Sequence, residues 1–94
     1  MANTSEWRTD ATEPVIRLLY QSGVAVSPAG VLANLEHRMD DPPSRQDVLS
    51  ALAALSGHGY VRQLGDVEAH YIITERGKDF VETEVDQDGV GFID

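Results

Sequence analysis

Punctuation by proline and hydroxyl residues constrains this 94-residue chain more than any other feature. Ser27-Pro28 sets a capping hydroxyl before a proline, which suits the first helical position because no N–H is needed there. Asp40-Asp41-Pro42-Pro43 breaks the chain, and Ser44 follows with Asp47 three residues on, an acidic variant of the capping box. A helix therefore runs from Pro28 to about His37, and another begins after Ser44. Before them, Asp10 or Thr12 is expected to cap a first helix with Pro14 in its first turn and Gly23 as its stop.

Apolar spacing fills these segments. Val15, Ile16, Leu18 and Leu19 give the first helix its buried stripe, and Val31, Leu32 and Leu35 give the second. Val48, Leu52 and Leu55 with Ala51 form the inward face of the third, which Gly57 and Gly59 end. Val24–Val26 is short and β-branched, as a brief strand would be. Tyr60–Leu64 and His70–Thr74 are strand-like runs around Gly65–Ala69, the pattern of a hairpin with a five-residue loop. Thr74 then caps a last helix through Gly77, Phe80 and Val81 to about Val85.

Helix, short strand, two helices, hairpin, helix is the order of a winged helix-turn-helix, an α+β and mainly α fold. We expect one such domain over residues 10–85, an N-terminal extension over 1–9 and an acidic tail over 86–94.

The residues carrying this order also resemble a known family. Ser44–Leu55 (SRQDVLSALAAL), Gly59-Tyr60-Val61 and Tyr71-Ile72-Ile73-Thr74-Glu75-Arg76-Gly77 are similar to the archaeal winged-helix transcription regulators. The nearest likeness is to the small haloarchaeal proteins grouped with the repressor of a halobacterial phage. Trp7, Ile16, Leu19 and Gly23 fall where that family tends to have them, so the resemblance spans residues 7–85. It implies a repressor-like regulator that binds double-stranded DNA, usually as a homodimer, with the third helix in a major groove and the hairpin wing near the backbone. By position, Ser44, Arg45, Gln46, Leu49 and Ser50 would face DNA from the helix, and Arg62, Gln63 and His70 from the wing. The chain departs from the pattern at Ser50 and Ala51, where relatives often carry arginine, and at the wing tip, where Asp66 and Glu68 stand.

The helix supports the same assignment without the resemblance. At 100° per residue, Gln46, Ser50 and Ala53 lie nearly opposite the core face, with Leu49 on the flank. Glutamine pairs bidentately with adenine, arginine reads guanine or holds phosphate, and leucine can touch a thymine methyl. The competing reading is a winged-helix protein-interaction module that does not bind DNA, which Asp47, Asp66 and Glu68 favour. Trp7, Phe80, Val81 and Val85 are apolar residues near the two ends of the sequence. They are expected to join two copies about a two-fold axis; otherwise Trp7 covers its own core.

Net charge is −9, which taken alone argues against a nucleic-acid partner. Its distribution weakens that argument. Residues 79–94 hold six acids and no base, whereas residues 14–78 hold seven acids and six bases. Six of the seven bases are arginine, a lysine-poor composition that fits a halophilic cytoplasm, where molar salt screens the repulsion.

Other chemistries find no support. With no cysteine there is no disulfide scaffold or thiolate metal site. His37, His58 and His70 have no ligand spacing. Asp86–Ile93 copies part of a calcium loop, but Val90 stands at the fifth position, which needs an oxygen ligand. No nucleophile elbow or phosphate-binding lysine loop occurs. We therefore expect no catalysis, cofactor or small-molecule ligand. No signal-peptide layout or membrane span is read, and the expected location is cytoplasmic.

Overall fold

In a computed structural model, which describes residues 7–66 and 69–85, the chain is a small α+β domain, mainly helical. Four helices and one two-stranded antiparallel sheet make it up among the described residues. The helices are α1 (Thr12–Ser22), α2 (Pro28–Arg38), α3 (Arg45–Gly57) and α4 (Glu75–Phe80); the strands, between α3 and α4, are β1 (Val61–Leu64) and β2 (His70–Ile73). A π-helical turn, Val81–Val85, continues α4. The expected acidic tail over 86–94 and most of the N-terminal extension lie outside the described residues, as does Glu68.

Three of the helix starts follow from local chemistry. Ser27 Oγ accepts from the Gly30 N–H at 3.0 Å, Ser44 Oγ from Asp47 at 3.1 Å and Thr74 Oγ1 from Gly77 at 3.0 Å. The start of α1 differs from expectation. Ala11 occupies the N-cap and supplies no side-chain bond, and neither Asp10 nor Thr12 is the cap. Pro14 falls at the third helical position, so one N–H that a capping side chain would use is missing. Thr9 and Thr12 bond each other instead: Thr12 Oγ1 accepts from Thr9 N at 2.8 Å, and Thr12 N donates to Thr9 O at 3.1 Å.

The ends are equally local. Gly23, at φ 68°, closes α1 through its N–H to Leu19 O. α3 ends in a Schellman motif: Gly59 at φ 80° donates to Ser56 O at 3.0 Å, and Tyr60 donates to Leu55 O at 2.9 Å.

The core lies where these elements meet. Val15, Ile16, Leu18 and Leu19 of α1 pack against Val31 and Leu35 of α2 and Val48, Ala51, Leu52 and Leu55 of α3. Leu32 is only partly buried at its edge. In the hairpin Val61 pairs with Ile73, both buried, so one face of the sheet lies on the helices. The expected strand Val24–Val26 reduces to one bridge, Val26 to Tyr71, with two bonds of 2.9 and 2.8 Å. Ser22 Oγ accepts from Val24 N at 3.2 Å, and this turn leaves Val24 59% exposed and off the sheet.

Phe80, Val81 and Val85 are 6%, 0% and 2% exposed, buried within their own domain. The expectation that they present a dimer face is corrected accordingly. Their apolar surface already has its partner in the same chain, and only Trp7 of that set is half-buried.

Candidate nucleic-acid interface

α3 builds the centre of the site by its periodicity. With Val48, Ala51, Leu52 and Leu55 turned into the core, Gln46, Leu49, Ser50 and Ala53 line the opposite side, and all four are exposed. Arg45 and Asp47 are exposed as well and are the helix's two charged residues, so α3 is neutral overall. The structure thus brings Arg45, Gln46, Leu49 and Ser50 onto one exposed surface. Ser44 stands at its edge with its hydroxyl engaged as the cap.

The hairpin divides its three candidates. Side chains alternate along a strand, and directly paired residues share a face. Arg62 pairs with Ile72 and Leu64 with His70, which puts Arg62 and His70 together on the face turned away from the core. Gln63 pairs with Tyr71 on the other face. There the Tyr71 hydroxyl donates to Gln63 Oε1 at 3.4 Å, and Gln63 Nε2 donates to Gly65 O at 3.4 Å. Gln63 therefore braces the hairpin turn and does not share a surface with Arg62.

Most cations serve the fold. Arg8 pairs with Glu84 at 3.6 Å and lies 4.9 Å from the Phe80 ring centroid. Arg38 donates to Gln21 Oε1 at 2.8 Å, Lys78 pairs with Glu75 at 3.5 Å, Arg76 covers the Tyr60 ring, and Arg17 is engaged too. Among the described residues, Arg45 and Arg62 are the cations that the chain leaves uncommitted, and both are exposed.

Carboxylates limit where phosphate can sit. A hollow of about 480 Å³ beside the start of α3 is walled by Asp10, Asp41 and Asp47, together with Pro42, Pro43 and Ser44. These acids oppose the attraction that the helix N-terminus offers an anion. Asp66 is exposed in the turn after β1.

A second cluster, which no sequence spacing signals, holds the other end of α3. Trp7, His58, Tyr60 and Phe80 come from three separate segments: the N-terminal stretch, the junction between α3 and β1, and α4. The Tyr60 and Phe80 rings stack at 4.3 Å and 11°, and Trp7 leans on His58 at 4.2 Å and 32°. His58 is the C-cap of α3, so the cluster fixes the helix end against α4 and the N-terminal segment. Among the described residues there is no group of three His, Cys, Asp or Glu placed to hold a metal, and no helix long and apolar enough to cross a membrane.

Comparison of the chain with protein-family models, with curated proteins and with solved structures finds no match in any of the three.

Proposed function

We propose that this chain is a winged helix-turn-helix DNA-binding transcription regulator, repressor-like, that lays α3 in the major groove and the hairpin wing along the backbone. One observation carries the reading: among the described residues, Arg45 and Arg62, the arginines assigned to the interface from sequence, are the two that no partner occupies. The exposed strip between Gln46 and Ala53 adds an adenine-pairing amide and apolar groups of the size that fit a groove floor.

The thin positive charge belongs to the same reading. Counterion release loses its value as salt rises, so a halophilic protein gains little from lysine patches and depends on base contacts and apolar fit. As a homodimer, the regulator would offer two copies of α3 to half-sites one helical turn apart. The two-fold contact then falls to residues other than Phe80, Val81 and Val85, which the core has taken.

The test is selection of bound duplexes from a random DNA pool by the full chain in molar KCl. An enriched motif is expected. A folded protein that enriches nothing overturns the regulator reading in favour of the protein-interaction module, which Asp47 and Asp66 beside the site favour.

A further inference from the structure

We propose that α3 reads a core of about three base pairs rich in A·T, with Gln46 pairing adenine and Leu49 and Ala53 packing on thymine methyls. This rests on the DNA-binding reading and adds the class of sequence that the site selects.

Gln46, Leu49, Ser50 and Ala53 occur at i, i+3, i+4 and i+7, a single stripe on the exposed side of α3. Seven residues at about 1.5 Å each span about 10.5 Å, which matches the rise of about three base pairs at about 3.4 Å each. Arg45 and Asp47 flank the stripe on opposite sides, each about 100° from Gln46.

The side chains on that stripe restrict what can be read. A guanine edge is selected by Arg or Lys, and a cytosine amine by Glu or Asp. From Val48 to Gly57 the helix has none of these. Gln46 satisfies both the acceptor N7 and the donor N6 of adenine, while serine discriminates little. Leu49 and Ala53 offer only carbon, and the thymine methyl is the one carbon group on the major-groove edges.

Leu49 gives the strongest indication. At 41% exposure it is one of two large apolar side chains exposed among the described residues. The other, Val24, sits in the turn after α1; Leu49 lies on the flank of the stripe, midway along its length. A lone exposed leucine needs no explanation, but one flanked by Gln46 and Ala53 at helical spacing has a partner that all three recognise.

The experiment uses the motif selected by the full chain. Each thymine in it is replaced in turn by deoxyuridine, which removes only the 5-methyl group, and Kd is measured in molar KCl. One or two positions are expected to weaken binding about fourfold, the worth of one buried methyl. L49A is expected to bind the thymine and deoxyuridine versions equally at one of those positions. Its circular dichroism and unfolding midpoint should match the parent, since Leu49 lies outside the core. A motif with a G·C core, or one insensitive to every deoxyuridine, overturns this inference and leaves DNA binding standing. Enrichment of no motif overturns both.

Discussion

Trp7 rests against His58 with ring centroids 4.2 Å apart, so the N-terminal segment is fastened to the residue that caps the C-terminus of α3. Tyr60 and Phe80 extend the contact, at 5.9 Å each from the Trp7 ring. Aromatic pairs contribute about 0.5–1.5 kcal/mol beyond their buried area. His58→Ala is therefore expected to cost about 1 kcal/mol, and Trp7→Ala, which also loses buried indole area, about 2 kcal/mol. Urea denaturation measures both. Trp7 is the chain's single tryptophan, so its emission should shift to the red in the His58 variant as one ring face meets water.

Gly77 lies at the crowded start of α4, where an added Cβ would overlap the Tyr60 carbonyl oxygen and crowd Ile73. Backbone cannot retreat as the tip of a side chain can, so Gly77→Ala is expected to destabilise by about 1–3 kcal/mol. For a domain of this size that is a midpoint lowered by at least about 4 °C in thermal unfolding.

The caps of α3 and α4 should differ in weight. Ser44 Oγ accepts one bond, whereas Thr74 Oγ1 also lies 2.8 Å from Gly59 O and 3.1 Å from Tyr60 O. Ser44→Ala is expected to lose about 1 kcal/mol and Thr74→Ala about 2 kcal/mol. Equal losses would mean that the Thr74 hydroxyl adds nothing by binding the junction between α3 and β1.

Neighbouring leucines of α3 provide a direct test of its orientation. Leu52 is fully buried and Leu49 is not. Leu52→Ala is expected to cost about 3 kcal/mol, and Leu49→Ala less than about 0.5 kcal/mol. Denaturant midpoints of the two variants, measured side by side, check the assignment.

Salt separates base reading from phosphate attraction. If the proposed DNA-binding role holds, Arg45 and Arg62 supply two phosphate contacts per chain and an expected slope of log K against log salt of about −2. A titration of the selected duplex with KCl reads this slope. A value as steep as about −5 per chain would show that phosphate contacts dominate and that cations beyond Arg45 and Arg62 reach the backbone.

Much of this architecture was legible in advance, because Ser27, Ser44 and Thr74 each act within three residues of their own position. The outward stripe of α3 was legible for a similar reason, since periodicity alone separates Leu49 from Leu52. The start of α1 was not, because the Thr9–Thr12 pair takes over from a cap where Pro14 removes a donor. Strand alternation in the sequence separates Gln63 from Arg62, whereas the bond from Tyr71 that occupies Gln63 is a side-chain contact that no sequence pattern signals. Phe80, Val81 and Val85 show a deeper limit. Hydrophobicity marks a side chain as needing cover without saying whether its own core or a second copy supplies it. Trp7, Phe80 and the His58–Tyr60 pair meet only in three dimensions, and no spacing announces the cluster.

Tyr60 belongs to two elements at once: its N–H closes α3 on Leu55, and its carbonyl receives the N–H of Thr74 beyond β2. Helix and hairpin consequently share one pivot, and their mutual angle behaves as a fixed gauge, independent of what the helix displays outward. The outward residues Gln46, Leu49, Ser50 and Ala53 can be exchanged on that mount as a key blade is recut on an unchanged bow. A new outward stripe would inherit the same reach to the hairpin, so under the proposed DNA-binding role altered sequence preference is open to substitution while altered spacing is not.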